Sequence, residues 1–294
     1  MTAIVLEGEP VAAAIRASLI ERVDALARRG HRPGLATVLV GDDGPSANYV
    51  AMKHRDCTEV GIESFDIHLP TTATATEVAA ELGRLNADVT VDAYLLQHYT
   101  PFPAHLDFDA LLLQIDPDKD ADGLHPVNLG KLVIGSDGPL PCTPAGIVEL
   151  LAYHQVPVEG RHVVIIGRGL TIGRPLANLL ALKRPGLNAA VTVVHTGVER
   201  ERFVALCRSA DVLVAAAGAP GLVTPDLVQV GAAVVAAGVT VTLGDDGRRR
   251  VASDVAPEVA EVAGWLSPKV GGVGPMTRAL LLRNCVDAAE RAHR

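Results

Sequence analysis

The chain predicts an α/β fold built on parallel sheets, and three observations carry that reading. Short apolar β-branched runs alternate with helical patterns along most of its length. Hydrophobic residues make up 49% of the 294 residues but aromatics only 3%, so the core has to be Ala, Val and Leu, as in sheets covered by helices on both faces. Finally, Val163 to Leu180, VVIIGRGLTIGRPLANLL, reads as a buried strand, a glycine-rich turn and a helix.

Taken in order, Glu9 to Arg29 is a helix, apolar at Val11, Ala14, Ile15, Leu19 and Val23. Gly34 to Val40 is a strand running into Gly41-Asp42-Asp43-Gly44-Pro45, with Ser46 as N-cap of a helix from Ala47 to Val60. Ser64 to Leu69 (strand), Thr76 to Asn86 (helix) and Val91 to Leu96 (strand) follow. Repeated units of this kind imply right-handed crossovers and a parallel sheet. Gly123 to Pro144 is rich in Gly and Pro and poor in periodicity, so it reads as a link between two domains. A second series then begins: helix Ile147 to His154, strand Val163 to Ile166, helix Arg174 to Leu182, strand Ala190 to Val194 and helix Arg200 to Ser209. It continues with strand Val212 to Ala216, a helical turn Pro225 to Val228 and strand Ala232 to Ala236. Gly274 to Arg294 is a closing amphipathic helix.

Gly167 and Gly169 permit a tight turn and close backbone approach to a phosphate, and the helix that opens on Gly173-Arg174-Pro175 presents oriented amides to it. Pro175 suits a first turn, where its missing N–H costs nothing. The spacing, Gly-x-Gly-x-x-x-Gly, is one residue longer than the dinucleotide fingerprint, so the strand-turn-helix context carries the assignment. NAD sites place an acid at the tip of the second strand to hold the ribose 2′-hydroxyl. Here that tip is His195-Thr196-Gly197, with no carboxylate, and Arg168 lies in the loop. Arg168 can pair with a 2′-phosphate and Thr196 can donate to it, which selects NADP. The plain alternative is a solvated loop arginine and a turn threonine.

The net charge of −8 and the lack of a long basic run argue against a nucleic-acid partner. Cys57, Cys142, Cys207 and Cys285 are widely spaced, so neither a disulfide framework nor a zinc site is expected, and the compartment is a reducing one. The first residues carry an early acid and no basic region, unlike a signal peptide, and no 18-residue apolar span exists. A cytoplasmic protein without a membrane partner is expected.

Tyr49 and Lys53 lie one turn apart on a helix, a pair that is ordinarily a surface contact. Here the phenol offers a stacking surface for a flat substrate, and a partly buried amine can move protons near neutrality. Asp116 to Gly123 alternates acids like a calcium loop, but Val127 stands where the twelfth-position ligand belongs, so no metal is expected. One of its carboxylates suits an amidine-like ring edge with two N–H donors. Ser267 to Thr277 holds three glycines and two prolines before a helix and reads as shaped backbone packed near a ligand.

Six segments in order, from about residue 40 to residue 284, resemble the bifunctional methylenetetrahydrofolate dehydrogenase/cyclohydrolase family. They are VGDDGPSANYVAMKHRDCTEVGI, IDPDKDADGLHPVNLGKL, PCTPAGIVELL, VVIIGRGLTIGRPLANLL, ADVLVAAAGAPGLVTPDLVQVGA and GGVGPMTRALLLRN. The resemblance implies two domains flanking a cleft in a homodimer. Residues 1–143 and 271–294 would form a folate-binding catalytic α/β domain completed by the C-terminal helix, and residues 144–270 a Rossmann-like NADP-binding domain. It implies NADP-dependent oxidation of 5,10-methylenetetrahydrofolate, then hydrolysis of the methenyl cation to 10-formyltetrahydrofolate. On this resemblance Lys53 is the catalytic proton shuttle, Gln97 positions it, Tyr49 stacks on the folate, and Asp122 holds the pterin edge. Gly272 and Pro275 join the folate set; Gly167, Arg168, Gly169, Thr196 and Val239 form the cofactor set.

Four departures stand out. The family's Gln-Leu-Pro-Leu-Pro becomes a loop two residues longer, Gln97 to Pro103, which bears on the reach of Gln97 toward Lys53. Ala236-Ala237-Gly238 replaces Asp-Val-Gly, Ser253-Asp254-Val255 replaces Gly-Asp-Val, and Val270 replaces a proline. A dehydrogenase that has lost its cyclohydrolase, and a silent folate- or nucleotide-binding regulator, are the alternatives.

Overall fold

The computed structural model describes residues 3–99, 102–243 and 249–293. The chain runs β1 (Ile4–Val5), α1 (Glu9–Arg28), β2 (Gly34–Val40), α2 (Gly44–Val60), β3 (Glu63–Leu69), α3 (Ala75–Ala87) and β4 (Ala93–Leu96). Next come α4 (Phe108–Leu112), α5 (Pro126–Ile134), α6 (Cys142–Tyr153), β5 (His162–Ile166), α7 (Gly173–Leu180), β6 (Ala190–Val194) and α8 (Arg200–Arg208). The remainder is β7 (Val212–Ala215), β8 (Ala233–Ala236), β9 (Val239–Leu243), β10 (Arg249–Ser253), β11 (Trp265–Leu266) and α9 (Val273–Ala292). Two 3-10 turns, Pro225–Leu227 and Pro257–Glu261, connect elements in this part.

The chain divides into two compact units. One comprises Met1–Ala12 and Thr143–Thr277, the other Ala13–Cys142 and Arg278–Arg294. Residues 1–12 and 271–277, expected with the first domain, fall in the other unit because β1 pairs with β11 and Gly8 N–H donates to the Gly271 carbonyl.

In the unit holding residues 13–142, β2 is central to a parallel sheet of order β3-β2-β4. Every residue of β2 and β4 is buried, so GLATVLV and AYLL carry no polar alternation. Arg22 of α1 pairs with Asp287 and Glu290 of α9 at 2.5 and 2.8 Å, and the buried Leu281, Leu282, Cys285 and Val286 form the inner side of that helix. The other unit has a parallel sheet of order β1-β11-β8-β7-β5-β6. Its core includes Val164, Ile166, Leu213, Ala215 and Val234, and Phe203 is the aromatic ring in that cluster. The antiparallel pair β9–β10 stands apart from this sheet.

Two local readings are corrected. Asp43, not Ser46, caps α2: its carboxylate accepts the Ser46 N–H at 2.9 Å, and Gly44-Pro45 form the first turn. The stretch from Gly123 to Pro144 is not irregular throughout, since it contains α5 and the start of α6. Val127 donates its N–H to His125 Nδ1 at the start of α5, and Gly135, at φ 72°, ends it. Its exposed Val127, Val133 and Ile134 blur the amphipathic period that marks a helix in sequence.

Candidate active site

Tyr49, Met52, Lys53 and Asp56 recur at helical spacing along α2 and line one stripe of it. Lys53 is 4% exposed, and its ammonium nitrogen donates to Gln97 Oε1 at 2.8 Å. The same nitrogen lies 5.1 Å from the centre of the Tyr49 ring. Burial lowers the Lys53 pKa, and the nearby Asp122 carboxylate opposes that only in part. Asp122 moves the other way: burial raises it, against the pull of Lys53. Both groups are thus held nearer their neutral forms than in water, the condition under which an amine both accepts and returns a proton at moderate pH. Burial also raises the Tyr49 phenol, which stays protonated and available for stacking.

Asp122 owes its position to pairing and glycine chemistry. Tyr94 of β4 donates its N–H to Lys119 O and accepts from Ala121 N–H, which lays residues 119–121 alongside the strand that ends at Gln97. Asp120, 3% exposed, accepts the N–H groups of Gly123 and His125 and the amide of Asn128, so it shapes the loop. Gly123 adopts φ 69°, and a Cβ there would lie 2.4 Å from the Leu140 carbonyl. Asn284 of α9 donates to the carbonyls of Ala121 and Leu140, both at 2.9 Å. Arg278 of the same helix binds Asp56 at 2.5 Å. Sequence reading singled out neither residue, although both fall within a segment that carries the family resemblance.

The longer loop leaves Gln97 in place. Gln97 N–H donates to the Val38 carbonyl at 2.8 Å, so the backbone is still registered on β2 at this residue, and the extra length follows it. His98 then packs edge-on against Phe108, and Phe102 against both Tyr99 and Phe108. Tyr99 donates its hydroxyl to Val40 O at 2.5 Å and occupies space that only a glycine at 41 leaves open. Thr100 and Pro101 lie outside the described residues.

In the other unit, β5 is followed on one side by β6 and on the other by β7, a topological switch of the kind that opens a crevice at strand carboxyl ends. A cavity of about 500 Å³ lies there, lined by Gly167, Arg168, Gly169, His195, Thr196, Arg200, Phe203 and Ala216 among others. A Cβ on Gly167 would meet Ala216 O at 2.2 Å, and one on Gly173 would meet Gly167 O at 2.1 Å. At Gly169 a Cβ would meet nothing within 4 Å, so this glycine lies open for a ligand to approach its backbone. Gly197 N–H donates to His195 Nδ1, which leaves the ring proton on Nε2, 3.4 Å from the Arg168 guanidinium. Two donors therefore converge without an acceptor between them, the arrangement an anion satisfies.

The remaining sequence-derived residues are dispersed. Val239 is exposed at the start of β9 and is not among the residues lining this cavity. Gly272 is wedged against backbone: a Cβ on it would lie 2.6 Å from Pro268 O, and one on Gly8 would lie 1.8 Å from Gly272 O. Pro275 is buried in the first turn of α9, and Val270 is exposed. Asp254, fully buried, approaches Gly238 and accepts the N–H groups of Ala217 and Gly218 at 2.7 and 2.9 Å, fixing the turn beside the cavity.

A parallel α/β unit with a phosphate-type glycine turn, together with a unit holding a buried lysine–glutamine pair, defines a nucleotide-dependent enzyme. Comparison with known proteins is specific. The model of the tetrahydrofolate dehydrogenase/cyclohydrolase catalytic domain matches residues 6–122, and that of the NAD(P)-binding domain matches residues 141–293. Bifunctional protein FolD of Syntrophotalea carbinolica is 49% identical over 100% of this chain and 98% of its own. Bifunctional protein FolD 1 of Salinispora tropica is 51% identical over 97% of this chain and 90% of its own. A crystal structure of Trypanosoma brucei N5,N10-methylenetetrahydrofolate dehydrogenase-cyclohydrolase, complexed with NADP cofactor and inhibitor, superposes with a TM-score of 0.93. It is 37% identical and covers 100% of this chain and 99% of its own. The chain belongs to the tetrahydrofolate dehydrogenase/cyclohydrolase family, bifunctional enzymes of one-carbon metabolism with an NAD(P)-binding domain.

Proposed function

We propose that this chain oxidises 5,10-methylenetetrahydrofolate with NADP⁺ and hydrolyses the methenyl product to 10-formyltetrahydrofolate, with Lys53 as the proton shuttle of the second step. The observation that carries the reading is the 2.8 Å bond between a buried Lys53 and Gln97, beside a half-buried Asp122. Bound NADP⁺ accepts the hydride that the substrate's nitrogen lone pair expels. For hydrolysis, a water oxygen attacks the methenyl carbon while the neutral Lys53 amine takes the water proton. The resulting ammonium returns that proton to the departing ring nitrogen while the adduct's hydroxyl loses its proton to solvent as the formyl C=O forms, so the amine is regenerated and one proton is released overall. Gln97 holds the amine on the attacking side. Tyr49 offers its ring face to the aminobenzoyl group. Asp122 accepts from the paired N–H donors of the pterin edge, whose arrival favours the carboxylate that burial disfavours.

NADP rather than NAD is supported by Arg168 and His195, whose donors converge at the cavity rim with Thr196 beside them. Gly167 and Gly169 suit close backbone approach, and the uncapped N-terminus of α7 suits a phosphate. Gly272 and Pro275 on the folate side, Val239 on the cofactor side, a homodimer and a cytoplasmic location complete the reading on family resemblance. Among the described residues, no helix is long and apolar enough to cross a membrane.

The decisive assay follows NADPH, methenyl and formyl absorbance with methylenetetrahydrofolate and either NADP⁺ or NAD⁺, for the wild type and Lys53→Ala. The wild type forms all three products, and Lys53→Ala accumulates methenyl-folate. Wild-type hydrolysis in Lys53→Ala removes the shuttle from the mechanism. Absence of both products in the wild type leaves a binding protein.

A further inference from the structure

Away from both sites, three side chains with metal-ligating atoms converge in the unit that holds residues 13–142. His31 lies in the loop from α1 to β2, Asp92 immediately before β4, and His293 immediately after α9. Asp92 has a side chain only 3% exposed and accepts the Gly34 N–H at 2.9 Å. His31 Nε2 lies 3.0 and 2.9 Å from its two oxygens. His293 Nε2 stands 3.8 Å from Oδ1, beyond hydrogen-bond reach, with its ring stacked on that of His31 at 3.6 Å. One imidazole already satisfies the carboxylate. A second one, aimed at it from a distance too great for a hydrogen bond, asks for a different explanation.

We infer that His31, Asp92 and His293 bind a divalent ion of the zinc type, which clamps the end of α9 to the edge of the sheet. Bonds of about 2.1 Å at tetrahedral angles place neighbouring ligand atoms about 3.4 Å apart. The observed separations to Asp92, 2.9 to 3.8 Å, bracket that value, and ligand atoms from all three residues lie within 4.8 Å of one another. Two imidazole nitrogens and one carboxylate oxygen suit zinc rather than calcium or magnesium, which prefer all-oxygen shells. A fourth position is available to water from a cavity of about 510 Å³ lined by Asp92, His293, Asp116 and Asp118. Arg29 donates to the His293 carbonyl, which fixes the last ligand although it stands at the chain's end. The two rings are stacked more closely than ligands of one ion would be, so binding fans them apart.

The full-length chain, stripped with a chelator, is titrated with ZnCl₂ by calorimetry and with CoCl₂ by visible absorption, alongside His31→Gln and His293→Gln. One ion per chain is expected, with tetrahedral cobalt bands, and affinity falls at least about tenfold in each variant. Zinc raises the Tm of the wild type by more than that of either variant at the same concentration. Dehydrogenase activity, which uses none of these residues, stays unchanged and certifies the fold. Should His31→Gln fail to fold, His293→Gln at the chain's end decides. A wild type that binds no ion overturns the assignment, as does an ion held equally well by the variants.

Discussion

Replacing Gln97 by alanine removes the acceptor that Lys53 Nζ reaches at 2.8 Å while leaving the α2 stripe and the Asp122 loop untouched. A buried donor deprived of its partner costs about 1–3 kcal/mol, which as lost positioning in a transition state is about 5- to 150-fold in rate. Lys53 is 4% exposed, so water does not freely replace the lost acceptor, and the upper half of that range is expected. The loss falls on methenyl hydrolysis, measured by the decay of methenyl absorbance. Hydride transfer, which needs no lysine base, changes about threefold or less. The pH dependence adds a signed test. Burial lowers the Lys53 pKa, so the free amine, and with it hydrolysis, appears on raising the pH at values below those of an ordinary lysine. Gln97→Glu puts an anion against the amine, favours the ammonium and moves that acid limb to higher pH. The same burial makes the folded state bind fewer protons here than the unfolded chain. This lysine's contribution to stability is therefore unfavourable below its folded pKa and eases as pH rises toward the unfolded value of 10.5. Equal loss of both activities in Gln97→Ala, or hydrolysis at the wild-type rate, refutes the reasoning.

Three further outcomes follow from the structure. Arg168→Ala removes a charge-assisted donor from the cofactor cavity, which raises the KM for NADP⁺ by about 10- to 150-fold and leaves that for NAD⁺ nearly unchanged; parallel kinetics with the two nucleotides check this. Gly238→Ala places a Cβ 1.9 Å from Asp254 Oδ2, so it displaces a buried carboxylate that holds two N–H groups and lowers stability by about 2–4 kcal/mol in denaturant titration. All four cysteines are buried and free, with Cys57 raised to about 12 and Cys207 to about 11, so thiol reagents at pH 8 label them only after unfolding, as mass spectrometry of native and denatured chain shows.

Patterns confined to a dozen neighbouring residues were legible without coordinates. GLATVLV is a strand because a near-continuous apolar run suits burial on both faces, and AVTVV is a β-branched run that forms the partly exposed edge strand β6; both occupy the predicted residues. The cap of α2 was misplaced by three residues because Asp43 and Ser46 are both good caps and only the backbone geometry distinguishes them. Helix α5 was missed because it is short and exposes apolar side chains, so no period appears in its sequence. The two short strands β1 and β11 were missed because two residues carry no pattern, and only pairing with each other and with β8 makes them strands.

The amino-acid sequence by itself determined the α/β class, the glycine turn at 167 to 173, the Tyr49–Lys53 stripe and, through six ordered segments, the family. Each of these rests on local spacing or on residue identity. Tertiary structure alone decided that Gln97 still reaches Lys53, because the strand holds Gln97 on Val38 and pushes the extra loop length beyond it. It decided that Asp254 fixes the turn at Ala217 and Gly218, and that His31, Asp92 and His293 meet. These residues lie tens to hundreds of positions apart. Their proximity is set by strand pairing and helix docking, and no one-dimensional spacing records it.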